Sequence, residues 1–108
     1  MDIFQYFESE FTRILVKLEG QGFLPEKLDS TRVVFELPRD ASHGDLATNA
    51  AMILAKSAQK SPRVLAAEFA AELAKIDGVV GAEIAGPGFI NLRVLPILWA
   101  RQIADIIK

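Results

Sequence analysis

Residues 85–94, AGPGFINLRV, leave this chain few folds to choose from. Gly86, Pro87 and Gly88 make a turn, and strict alternation follows it. Ile90, Leu92 and Val94 fall on one face of an extended segment, and Phe89, Asn91 and Arg93 on the other. Val79 to Ile84, just before the turn, also reads as a strand, so the two segments pair as a hairpin. A hairpin with one aliphatic face cannot stand alone in water. It needs more strands and a layer of helices over the aliphatic side.

The rest of the chain supplies those helices. Ile3, Phe4, Phe7, Phe11, Ile14, Leu15 and Leu18 form a stripe at helical spacing, with Asp2 as N-cap and Gly20 and Gly22 as terminators. Arg32 to Leu37 alternates as a short strand that points Val33, Phe35 and Leu37 one way and ends at Pro38. Residues 38–44 read as a loop, with room for part of another strand. Asp45 is the expected N-cap of an alanine-rich helix over 46–58, whose buried stripe is Leu46, Ala50, Ile53 and Leu54. Ser61-Pro62 starts the next helix, with Leu65, Phe69, Leu73 and Ile76 inward. Pro96 opens a last helix over 97–107, apolar around much of its circumference at Leu98, Trp99, Ile103, Ile106 and Ile107. The expected fold class is α+β: a two-layer sandwich, an antiparallel sheet of three or four strands with helices on one face, in the order α-β(-β)-α-α-β-β-α. The other face of the sheet stays open, with Phe89, Asn91 and Arg93 on it.

A chain of 108 residues is one domain with one modest core. No apolar run is long enough to span a membrane, and the absence of cysteine excludes disulfides and thiolate metal sites. A cytoplasmic location is the natural expectation. The net charge is −2 and the pI about 5.3, less basic than a free-standing nucleic-acid binder. The charge is uneven, however. Residues 1–26 set Arg13 and Lys17 against five carboxylates, whereas residues 46–63 hold Lys56, Lys60 and Arg63 and no acid. That second stretch reads either as a basic strip or as a solvated helix end.

Candidate chemistry is sparse. The single histidine, His43, has Asp40, Ser42 and Asp45 near it in sequence. Neighbours on one short loop rarely reach the geometry of a catalytic triad, and a small hydrolase centred on His43 would need that histidine within hydrogen-bond reach of a nucleophile in a cleft. One histidine and scattered carboxylates make no metal site. Gly86-x-Gly88 precedes a strand rather than opening a helix, so it is a hairpin turn and not a phosphate loop, although its glycines let a ligand backbone come close. Phe89, Asn91 and Arg93 remain. A ring that stacks, an amide that reads a base edge and a cation for phosphate suit single-stranded nucleic acid. An ordinary half-exposed strand, or a face covered by another domain, fits the same residues.

Three segments together resemble a known family: GDLATNAAMILAK (44–56), SPRVLAAEFAAEL (61–73) and IAGPGFINLRV (84–94). They are similar to the N-terminal additional domain of bacterial arginyl-tRNA synthetases. The resemblance implies residues 1–95 as that domain and 96–108 as a linker helix toward a catalytic domain absent from this chain. It implies a partner, the D-loop at the outer corner of tRNA(Arg), met by Phe89 and Asn91. Gly86 and Gly88 would bring the turn's backbone close, and Arg93 is our own addition as a phosphate partner. The family's catalytic signatures, a His-x-Gly-His type and a Lys-Met-Ser-Lys-Ser type, are absent from this sequence. The expectation is therefore a non-catalytic part of an arginine–tRNA ligase. ATP and magnesium would serve the full-length enzyme and no cofactor this chain, with neither DNA nor membrane as partner. The alternative function is a docking module that contacts a protein or another domain without reading RNA.

Overall fold

The computed structural model describes residues 2–98. Helix α1 (Ile3–Gly20) starts at the expected cap. The Asp2 carboxylate accepts the Gln5 N–H at 2.8 Å, and the Gln5 side chain accepts the Asp2 N–H at 3.0 Å. Two donors that the helix itself leaves unpaired are thereby satisfied. At the other end Gly22 takes a φ of +78°, and the Phe23 and Leu24 N–H groups turn back onto the Leu18 carbonyl. Ile3, Phe7, Phe11, Ile14, Leu15 and Leu18 are buried, as their spacing predicts.

Helices α2 (Ala50–Ala58) and α3 (Pro62–Leu73) pack on each other and on the sheet. Ser61 caps α3 through its hydroxyl, which accepts the Val64 N–H at 3.2 Å, with Pro62 at the first helical position. The alanines of the pair (Ala50, Ala51, Ala55, Ala58, Ala66 and Ala70) are buried and let the two helices lie close.

The sheet has four antiparallel strands: β1 (Phe35–Glu36), β2 (Leu46–Thr48), β3 (Val79–Ala85) and β4 (Phe89–Val94), in the order β1-β2-β4-β3. The hairpin β3–β4 is the expected one. Ile90, Leu92 and Val94 are buried under the helices. Phe7, Phe11, Phe35 and Phe69 hold the layers together. Phe35 from the sheet stacks 5.8 Å from Phe7, and Phe11 meets Phe69 of α3 edge-on at 5.0 Å. The fold is thus α+β, a four-stranded antiparallel sheet with helices on one side.

Three expectations about local structure need correction. Residues 46–48 are a strand and not the first turn of a helix. Leu46, Ala47 and Thr48 pair with Leu92, Asn91 and Ile90, and the helix begins only at Ala50, after Asn49. Asp45 accordingly does not cap a helix: its carboxylate accepts the Val94 N–H at 2.8 Å. Long-range pairing overrides the helix propensity of an alanine-rich run. The first strand is also shorter than its alternation predicts. Only Phe35 and Glu36 pair with β2, so Leu37 leaves the ladder and is 63% exposed instead of facing the core. Of the expected last helix, residues 96–98 form a helical turn with Leu98 buried; Trp99 and the rest of 97–107 lie outside the described residues.

One polar link crosses the helical layer. Glu72 of α3, only 8% exposed, accepts from Lys17 of α1 at 2.6 Å and from Lys75 at 2.8 Å. Those two hydrogen bonds, Lys17 first, hold its carboxyl below the usual glutamate range, and the Lys75 ammonium is raised in return.

Candidate nucleic-acid interface

The side of the sheet away from the helices carries Phe89, Asn91 and Arg93, as the alternation requires. Phe89 is 40% exposed, Asn91 is half-buried and Arg93 is exposed. The strand order decides what surrounds them. Because β2 lies between β1 and β4, one row runs across all four strands. Glu36 is opposite Ala47, Ala47 is opposite Asn91, and Asn91 is opposite Glu83. Partners in such a row stand about 5 Å apart and share a face. Ala85 sits beside Phe89 in the same way.

The chain that leaves β1 builds a wall beside this row. Leu37, Pro38, Arg39 and His43, together with Glu36, Ala47, Ala85, Phe89 and Asn91, line a depression of about 500 Å³. Small Ala47 makes its floor. The loop is fixed against β4 by three contacts. The Arg93 guanidinium donates to the Ser42 carbonyl at 2.6 Å, the Asp45 N–H donates to the Leu92 carbonyl at 2.7 Å, and the Asp45 carboxylate takes the Val94 N–H. Gly44 makes this approach feasible. Its φ is +142°, and a Cβ there would lie 2.8 Å from the Leu92 carbonyl oxygen. The three-residue 3₁₀ turn Ala41–His43 is closed by Asp40. The Asp40 carbonyl accepts the His43 N–H, and its carboxylate accepts the Ser42 N–H and is held below its usual pKa mainly by that bond.

Within this frame the polar groups divide sharply. The Asn91 carboxamide has no hydrogen-bond partner among the described residues, although it is half-buried and offers both donors and acceptors. The Phe89 ring has no aromatic neighbour there either. A flat apolar ring beside an unpaired amide, at the edge of a depression, is equipped to stack on a planar ligand and pair with its edge. Arg93 is on the same face, but one arm of its guanidinium holds the loop, so it positions the wall and keeps its remaining donors for a ligand.

The glycines of the turn have different surroundings. Gly86 takes a left-handed φ of +56° with open space around it, and its carbonyl accepts from Arg63 at 3.3 Å. Gly88 is buried, and a Cβ on it would meet Pro62 at 3.1 Å and Met52 at 3.3 Å. Its lack of a side chain lets the hairpin seat on the start of α3.

His43 lies on an exposed loop, and Ser42 presents its backbone carbonyl to Arg93. No nucleophile–base pair is formed there. No group of three or more histidines and carboxylates among the described residues can hold a metal ion. Among those residues, too, no helix is long and apolar enough to cross a membrane. The sequence reading missed Glu36, Leu37, Pro38, Arg39, Ala47 and Glu83 as neighbours of the site. Only the β1-β2-β4-β3 order brings them there, and it is carried by no local pattern.

Over residues 5–94 the chain matches the family described as the arginyl tRNA synthetase N terminal domain. It is 50% identical over all of its 108 residues to the arginine–tRNA ligase of Parvibaculum lavamentivorans, of which it covers 18%. It is 54% identical over 96 residues, 89% of the chain, to that of Methylorubrum extorquens strain PA1, covering 16% of it. With the ligase of Rhodospirillum rubrum it shares 44% over 107 residues, 99% of the chain and 18% of that protein. The chain therefore spans less than one-fifth of the length of the curated relatives it matches. On that match over most of its length, this chain belongs to the family of arginyl-tRNA synthetase N-terminal domains.

Proposed function

We propose that this domain recognises the D-loop of tRNA(Arg) on behalf of an arginine–tRNA ligase, and that Phe89 and Asn91 contact one D-loop base. The observation that carries the reading is the unpaired Asn91 carboxamide next to the half-exposed Phe89 ring. An amide that the protein leaves unpaired at the surface of a depression meets water in the free chain and is free to exchange it for a ligand's donors and acceptors. A base stacked on the ring contributes about 1–3 kcal/mol, and an amide pair to its edge a similar amount. The relatives' shared name, arginine–tRNA ligase, supplies the context: a full-length protein of that kind would attach arginine to tRNA, with ATP and magnesium handled outside this domain.

The acids beside Asn91 refine the reading. Glu36 and Glu83 share its row and repel phosphate. The depression therefore takes a base, and the phosphates of the same nucleotide lie toward the cations of the rim, Arg39 and Arg93. Leu37, Pro38 and Phe89 give an apolar wall, which the docking alternative also needs. The cationic rim favours RNA.

Titration of the 108-residue chain with a tRNA(Arg) transcript, followed by amide and side-chain NMR shifts, tests the proposal. The expected result is that the largest shifts fall on Phe89, Asn91, Ala47 and the 37–43 loop, and that Asn91→Ala weakens binding about tenfold. Shifts confined to the helical side would overturn it.

A further inference from the structure

The rim cations Arg39 and Arg93 serve one side of the base-reading face, and the Glu36 and Glu83 row leaves the RNA backbone without a partner on the other. At the tip of the hairpin the balance reverses. Residues 46–63 carry Lys56, Lys60 and Arg63 and no carboxylate, and the fold brings this stretch against the turn that leads into Phe89. Gly88 packs on Pro62 and Met52. Arg63 follows Pro62 and donates to the Gly86 carbonyl, three residues before Phe89. Lys56 lies one helical turn after Met52 on the same side of α2 and is exposed, with no partner among the described residues. Lys60, at the junction of the two helices, rests its ammonium 4.4 Å from the centre of the Phe23 ring and keeps its charge at the surface.

We infer that Arg63 and Lys56, with Lys60 behind them, form a second contact that takes the sugar–phosphate backbone of the nucleotides next to the base held by Phe89 and Asn91. The inference rests on the D-loop reading for its partner. Two oppositely charged zones flank the hairpin: the row Glu36–Ala47–Asn91–Glu83 on the open face, and the acid-free α2–α3 junction at the tip. A strand of RNA with one base in the depression lowers its energy by turning its phosphates away from the first zone and toward the second. The contact is independent of sequence. It adds affinity and orientation, while the ring and the amide supply the reading. The exposed Gly86-Pro87 tip, which carries no charge, lets the backbone pass between the two zones.

The test is the salt dependence of binding between the full chain and a tRNA(Arg) transcript, measured for wild type, Lys56→Gln, Arg63→Gln, Arg63→Lys and Phe89→Ala. Each lost phosphate contact lowers the slope of log K against log salt by about 0.7–0.9. Lys56→Gln and Arg63→Gln are each expected to reduce that slope by nearly one and to weaken binding several-fold at low salt. They should do so equally for transcripts with an altered D-loop base. Arg63→Lys should retain the slope. Lys56→Gln touches no internal hydrogen bond, so its effect cannot come from a loosened turn. Phe89→Ala should weaken binding with the slope unchanged. If Lys56→Gln and Arg63→Gln leave slope and affinity at wild-type values while Phe89→Ala weakens binding, the backbone contact is wrong and the base reading stands. If the glutamine variants lower the slope and Phe89→Ala changes nothing, the backbone contact stands and the base reading falls.

Discussion

Segments 44–49 (Gly-Asp-Leu-Ala-Thr-Asn) and 86–91 (Gly-Pro-Gly-Phe-Ile-Asn) look alike on paper: each opens with a glycine and closes with an asparagine. In the fold they do opposite work. In the first segment the three polar side chains all find internal partners. Asp45 holds Val94, the Thr48 hydroxyl accepts the Ala50 N–H at 3.2 Å, and Asn49 bridges two backbone groups. Its oxygen takes the Val34 N–H at 2.9 Å, and its amide donates to the Arg32 carbonyl at 3.3 Å. In the second segment Asn91 has no partner among the described residues, and Phe89 faces outward. The lesson is that the same residue type is structural where the chain completes its hydrogen bonds and is available for recognition where it does not.

The contrast can be broken or sharpened by substitution. The largest expected effect is on stability at Gly44. Gly44→Ala forces a Cβ against the Leu92 carbonyl at a φ that side chains rarely adopt, and it should cost about 2–4 kcal/mol in urea unfolding. Next comes Phe89→Ala, which should cost about 1–3 kcal/mol of RNA affinity while the unfolding midpoint barely moves. Asn49→Ala is the reciprocal case. It should lower stability by about 1–2 kcal/mol, by orphaning Val34 N–H and Arg32 C=O, and leave the affinity of the folded protein unchanged. If Asn49→Ala and Asn91→Ala behave alike in both assays, the division between the two segments fails.

The smallest effect concerns pH and lies away from both segments. Glu72 has a depressed carboxyl pKa, so its link to Lys17 contributes fully above the ordinary glutamate pKa. The contribution is lost as the pH falls through the depressed value, because the folded state then binds the proton that the unfolded state already holds. Acid titration of wild type against Glu72→Gln should show a shallower loss of stability in the variant. Equal slopes would remove Glu72 from the acid response.

Much of this was legible in the sequence. The two-residue period over 89–94 gave both the buried aliphatics and the outward Phe89, Asn91 and Arg93, because alternation along one strand is a local property. The caps at Asp2 and Ser61 were readable for the same reason. Asp45 and Leu46 were misread because an acid ahead of an alanine run has the signature of a helix start, and the β4 edge that recruits them lies more than forty residues away. The wall of the depression was invisible on the same ground. Leu37 and Arg39 reach Phe89 only through strand order. Gly44 carried a signal whose meaning appeared only when Leu92 was placed against it.

The central claim is that the Phe89–Asn91 face reads one unstacked D-loop base. The most direct measurement compares the affinity of wild type and Phe89→Ala for a tRNA(Arg) transcript and for the same transcript lacking that base. Removal of the base should weaken wild-type binding about tenfold or more and leave the variant, already weakened, indifferent. Wild-type protein that binds the two transcripts equally well would contradict the account.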